Sequence, residues 1–166
     1  MISSGRVATA VINVFEAAGW VVQHRFDSNP AFIACFGYGD RRYFKSDDAP
    51  PTRIPEPTLA LRKGSTGVVC EVDYRYTKAS FAALALIRQT KHKRVYLQKV
   101  FGGSIPSRIL FGLALPDLEN HIQKAIVHLP EVDFLLAAGP KLTLTCIKPP
   151  QRDVFATFSS IPPRKV

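Results

Sequence analysis

Three acids, Glu56, Glu71 and Asp73, stand in the most basic stretch of a 166-residue chain. Two of them share the segment GVVCEVDYRYT, which alternates as a β-strand does: Val68, Cys70, Val72, Tyr74 and Tyr76 on one face, Val69, Glu71, Asp73 and Arg75 on the other. Neighbouring same-face positions lie roughly 6 to 7 Å apart, and two unit charges at that distance repel by about 2.5 kcal/mol at an effective dielectric near 20. A metal ion, a basic partner or water must offset that repulsion. Glu56 precedes the apolar run TLALR, and a turn between Gly64 and Gly67 folds that run onto the next, so that Glu56 and Glu71 converge at one sheet edge. Carboxylates grouped in this way hold a hard cation, magnesium or manganese. The cation lowers the pKa of an attacking water and neutralises charge that builds on a phosphate. The competing reading is structural, with Glu71 and Asp73 paired to Arg75, Lys63 or Arg53 on adjacent positions.

The elements that would position these acids follow from periodicity. Val7, Val11, Val14, Phe15 and Ala18 recur at helical spacing, which predicts an amphipathic helix from about Ser3 to Ala18 with Gly19 as terminator, and argues against a signal peptide. WVVQHRF and AFIACFGYG read as strands, and RRYFKS as the end of a hairpin around Gly37 to Asp40. The segment from Asp47 to Pro57 holds four prolines and is expected to be an irregular loop. TLALR and VVCEVDYRY form the acid-bearing hairpin. Thr77 then caps a helix from Lys78 to about Thr90 that is apolar on nearly every side and must be covered. VYLQKVF reads as the strand this helix crosses over to. Further along, RILFGLALP is a strand, a short helix runs from about Pro116 to Val127, and VDFLLAAG and KLTLTCIKP are strands joined at Gly139 and Pro140. The tail offers one more strand between proline pairs, with frayed final residues. The order is that of a single α/β domain with a mixed sheet and a crossover helix.

Composition narrows the class. Hydrophobic residues make up 46% of the chain, enough for a real core without disulfides or a structural metal. The longest apolar run is broken by Arg88, well short of the ~20 residues a bilayer requires. No membrane partner is expected. Cys35, Cys70 and Cys146 are odd in number, far apart and set in strand-like runs, which suits buried thiols in a reducing, cytoplasmic compartment. There is no CxxC pair or His/Cys cluster to hold zinc. The net charge is +9, and residues 51 to 110 hold eleven basic and three acidic side chains, so eight of the excess charges fall there. This is the electrostatic footprint of a polyanion-binding face. Arg53, Lys63, Lys78, Lys91, Lys93, Arg94 and Lys99 are its candidate phosphate contacts.

The stretch RIPEPTLALRKGSTGVVCEVDYR (53–75), together with the order of elements over roughly residues 3 to 101, resembles the core of the PD-(D/E)xK nuclease superfamily. Pro55-Glu56 stands where the family has Pro-Asp, Leu59 and Leu61 in its first strand, Val68 to Cys70 in its second, and Glu71-Val72 at the acid and spacer, with Tyr74-Arg75 closing the match. The resemblance implies a restriction-endonuclease-like fold, helix-strand-strand-strand-helix-strand, with residues 102–166 as a strand-rich extension of the same domain. It implies Glu56 and Glu71 as magnesium ligands, and Glu16 as the acid a first helix can add. One position departs: Asp73 occupies the family's lysine. A negative side chain there does not stabilise transition-state charge. Either Asp73 becomes a third metal ligand, or Arg75 or Lys63 supplies the missing positive charge, or catalysis is lost.

Three function classes follow. The first is a magnesium- or manganese-dependent DNA endonuclease-like protein of a defence, repair or mobile-element system, associated with the nucleoid. The second is a nucleic-acid-binding module that keeps the fold without the chemistry. The third is a basic structural or assembly protein that meets a partner protein or forms a homodimer.

Overall fold

A computed structural model describes residues 4–25, 43–44, 54–55, 57–72, 77–89 and 93–166. It is a mixed α/β structure. Helix α1 (Ser4–Ala17) leads into strand β1 (Val21–Arg25), and two-residue strands β2 (Tyr43–Phe44) and β3 (Ile54–Pro55) pair with each other. Strands β4 (Leu59–Lys63) and β5 (Thr66–Val72) follow, then helices α2 (Thr77–Gln89) and α3 (Lys93–Val100), strand β6 (Arg108–Pro116), helix α4 (Glu119–Ile126), a single 3₁₀ turn (Leu129–Glu131), and strands β7 (Phe134–Ala138) and β8 (Leu144–Lys148). The main sheet has the order β1-β4-β5-β6-β7-β8. β1, β4 and β5 form an antiparallel meander, β5, β6 and β7 are parallel, and β8 returns antiparallel.

The acid-bearing hairpin is tighter than expected. Lys63 pairs with Thr66, leaving a two-residue loop. Its first residue, Gly64, has φ of +55°, the left-handed backbone that a type II′ hairpin turn demands at that position. Leu59 consequently faces Cys70, which sets Thr58 beside Glu71.

The period of two in the strands produces two cores. Val68 and Cys70, with Leu59 and Leu61 of β4 and Phe134 and Leu136 of β7, face α1, whose Val7, Val11 and Phe15 are fully buried at helical spacing. Val69 and Ala60, with Phe111, Leu113 and Leu115 of β6, face Phe81, Leu84 and Ile87 of α2, Tyr96 and Leu97 of α3 and Ile122 of α4. The two parallel crossovers advance the sheet in one direction and place their helices on one face, as connections of one hand must. The α1 face is completed by the end of the chain. Phe158 meets Phe15 edge-on at 5.4 Å, and the Trp20 indole donates to Thr157 Oγ1 at 2.9 Å.

Three expectations need correction. Residues 95–101 are not the crossover strand: Lys93–Val100 is helical, because Tyr96, Leu97 and Val100 form one apolar stripe against the α2-side core, and β6 is the strand the crossover reaches. The proline-rich segment is not wholly irregular, since Ile54 and Pro55 pair with Tyr43 and Phe44. The tail forms no strand between its proline pairs. It runs as a series of turns, and its end is held: Cys146 donates its N–H to Pro162 O, and Arg164 donates to Cys146 O, both at 2.8 Å. The expected strand AFIACFGYG, its hairpin and Cys35 lie outside the described residues.

Candidate functional site

Glu71 is the acid of the motif that the structure describes, and it is 4% exposed, next to last in β5. Strand alternation places it with Val69 on the α2 side of the sheet, at the edge where β5, β6 and β7 end and α2 begins. In open α/β sheets this carboxyl edge is where ligands bind, and the first turn of α2 adds the positive end of a 13-residue helix dipole. A buried carboxylate has to be hydrogen-bonded. The backbone N–H of Thr58 donates to Glu71 Oε1 at 3.2 Å, and Thr58 Oγ1 in turn accepts the N–H of Val72 at 3.2 Å. Thr58 thus stitches the open end of the hairpin and aims the carboxylate. Sequence reading missed this role, though a two-residue turn at Gly64 and Ser65 fixes the register that predicts it.

The charge of Glu71 also reaches its neighbour. Burial, and secondarily the adjacent carboxylate, push the Cys70 thiol far above its ordinary range against a lowering backbone hydrogen bond at Ala114. Cys70 and Cys146 are both free and buried.

Glu56, Asp73, Arg75, Arg53 and Lys91 lie outside the described residues. Among the described residues no three His, Cys, Asp or Glu side chains are grouped as a metal site would group them. Lys78 is exposed in the first turn of α2, at the Glu71 end of the sheet. Lys63 and Glu16 are not there. Lys63 closes the hairpin at its other end, five positions from the register of Glu71, or about 17 Å along the strand. Its ammonium donates to Ala18 O at the end of α1 and sits 5.0 Å from the Phe155 ring. Glu16 is exposed in the last turn of α1, which is tied by Lys63 to that same far end, so it does not join Glu71.

The basic surface is likewise divided. Lys93 and Arg94 open α3 and Lys99 lies in its last turn, and α3 follows the end of α2 that is about 17 Å along the helix axis from Lys78. There Lys93 and Arg88 approach the Phe111 ring at 5.5 and 5.2 Å. Arg94 and Lys99 are exposed. Several cations of the basic stretch hold backbone carbonyls: Arg62 bonds Gly64 O and Ser104 O, Arg88 bonds Glu131 O, and Arg108 bonds Arg152 O. Part of the positive excess is therefore internal scaffolding. No helix of the described residues is long and apolar enough to cross a membrane. No family model, curated protein or solved structure matches the chain.

Proposed function

We propose that the chain is a metal-dependent nuclease-like protein of the PD-(D/E)xK type, acting on phosphodiester bonds at the Glu71 edge of the sheet. The observation that carries this reading is Glu71 itself: a buried, backbone-oriented carboxylate near the end of a hairpin strand, followed by a crossover helix to a parallel strand. Helix α1, the acid-bearing hairpin β4-β5 and the helical crossover α2-α3 to the parallel strand β6 support the reading, with β6 in the role expected of residues 95–101. Glu71, with Glu56 and Asp73, would hold the cation through oxygen donors, which suit magnesium or manganese. When bound, the metal supplies Lewis-acid activation of a water and charge neutralisation on the phosphate. The protein's own contribution is placement. Thr58 fixes Glu71, and Lys78 brings a positive charge to the same edge for a substrate phosphate. Incubation of purified protein with supercoiled plasmid and magnesium or manganese tests the proposal. Cleavage is expected, and Glu71→Gln is expected to reduce it by about 100-fold or more; cleavage undiminished in that variant counts against the assignment.

A second reading is favoured by the position of Lys63. Asp73 stands where the family has lysine, and Lys63, a candidate replacement, is bonded to Ala18 at the other end of the hairpin. A module that binds nucleic acid without cutting it fits that geometry. It predicts a steep loss of DNA affinity with salt, from phosphate contacts, and no cleavage with any divalent metal.

A further inference from the structure

A polar cavity opens at the edge of the sheet opposite Glu71. It has a volume of about 290 Å³ and is bounded by Arg88, Arg108, Lys148 and Asp133, with Leu110 and Val132 among its apolar walls. Arg108 pairs with Thr66 and Leu113 with Glu71, so the cleft and Glu71 are separated by five positions of strand, about 17 Å.

The charges in this cleft do not cancel. Both oxygens of Asp133 are taken by Arg88 Nη2 at 2.9 and 2.8 Å, and Oδ2 also accepts the Phe111 N–H at 2.7 Å. That pair neutralises itself and leaves Arg108 and Lys148 in excess. Lys148 Nζ donates to Leu129 O and Val132 O, each at 2.6 Å, and an ammonium has a third donor. Arg108 donates to Arg152 O at 2.8 Å through Nη2, one of the five N–H donors that a guanidinium carries. The backbone carbonyls thus hold both cations in place before any ligand arrives, and a cleft whose lining is net positive concentrates anions.

We propose that this cleft is a binding site for a small phosphate monoester. A monoester carries between one and a half and two negative charges at neutral pH, which matches two excess cations. The volume lies at the low end for ligand pockets, so the organic part is small, about the size of a sugar, and rests on Leu110 and Val132. The site is separate from the proposed nuclease edge and does not depend on it.

Isothermal titration at constant ionic strength, with ribose 5-phosphate, inorganic phosphate and ribose as probes, tests the inference. Saturable binding of ribose 5-phosphate is expected, tighter than that of inorganic phosphate, with none for ribose. Arg108→Gln removes one charged donor and is expected to weaken binding by about tenfold or more. Gln151, exposed on the cleft lining, allows a second variant: Gln151→Glu adds a negative charge and weakens binding without removing any contact of the scaffold. Gln151→Glu keeps the wild-type melting temperature, Arg108→Gln lowers it by no more than the loss of its bond to Arg152 O explains, and Glu71→Gln keeps the wild-type affinity. Absence of saturable binding, or equal binding in wild type and both variants, overturns the site. Equal affinity for the two phosphate probes overturns the monoester, and lost binding in Glu71→Gln overturns the independence of the two edges.

Discussion

Thr58 and Glu71 are joined across the β4–β5 pair, the backbone N–H of Thr58 donating to Oε1 of Glu71 at 3.2 Å. The bond links fold and site in one contact. It satisfies a main-chain donor at the open end of the hairpin, and it holds a nearly buried carboxylate in one orientation. A side chain that serves both purposes has to be probed with substitutions that separate them.

Glu71→Gln and Glu71→Ala make that separation. Glutamine keeps an oxygen in reach of the Thr58 N–H, so thermal stability is expected to stay near wild type. Alanine leaves that donor without its acceptor and costs about 1 to 3 kcal/mol, several degrees in Tm for a chain of this size. Metal-dependent cleavage is expected to fall in both. Circular dichroism melts beside plasmid assays check the pair. Equal stability losses in the two variants would mean that the hydrogen bond is not what Glu71 contributes to the fold.

Lys63 is expected to behave as a structural residue. Lys63→Met deletes the donor to Ala18 O and the cation above Phe155 while keeping the aliphatic stem. The expected cost is about 1 kcal/mol, measured by urea denaturation, with kcat of any metal-dependent cleavage unchanged. A variant that folds as well as wild type yet loses cleavage contradicts the placement of Lys63 away from Glu71.

Much of this architecture is legible in the order of residues. The α1 stripe, the acid-bearing hairpin, the α2 crossover and the strands at Arg108, Phe134 and Leu144 all announce themselves through local period and turn chemistry. Lys93–Val100 did not, because Val95, Tyr96 and Val100 are strand-favouring types in so short a run that helix and strand patterns both fit. The tail was opaque for another reason: the Trp20–Thr157 bond spans 137 positions, and no local pattern encodes such a partner. The same holds for the cations. A sequence shows that Arg62, Lys63 and Arg88 are positive, but not that each is bonded to a backbone carbonyl.

At Asp133 the backbone contact is expected to outweigh the ion pair. Arg88 and Asp133 are each about one-third exposed, so solvent screens their attraction, and a double-mutant cycle should return a coupling of only about 0.5 to 1 kcal/mol. The Phe111 N–H, which Asp133 Oδ2 accepts at 2.7 Å, is a main-chain donor at the start of the parallel sheet. Asp133→Ala is expected to cost about 2 kcal/mol, and Asp133→Asn, which retains an acceptor, distinctly less. Chemical denaturation of the four variants of the cycle and of the asparagine variant gives both numbers. A coupling as large as the whole alanine cost would assign the stabilisation to the salt bridge instead.

Alkaline pH is expected to unfold the protein through its thiols. Burial, assisted by the nearby charge of Asp153, raises the Cys146 thiol to about 11, and Cys70 is raised further for the same first cause. Both groups are neutral when protonated, so the folded chain keeps protons that the unfolded chain, with thiols near their ordinary value, gives up. Below about pH 8 both states hold the proton and the thiols leave stability flat. Between about pH 9 and 11 the unfolded state binds fewer protons than the native state, and stability falls with rising pH by up to about 1.4 kcal/mol per pH unit for each thiol. Cys146→Ala removes one thiol, so its stability curve should run flatter than wild type through that window, whatever offset the lost sulfur causes at pH 7. Urea midpoints of wild type and Cys146→Ala at pH 7, 9, 10 and 11 decide the matter, since lysine and tyrosine titrations are common to both proteins and cancel in the difference. Curves that stay parallel across the range would show that Cys146 ionises as readily in the folded chain as in the unfolded one.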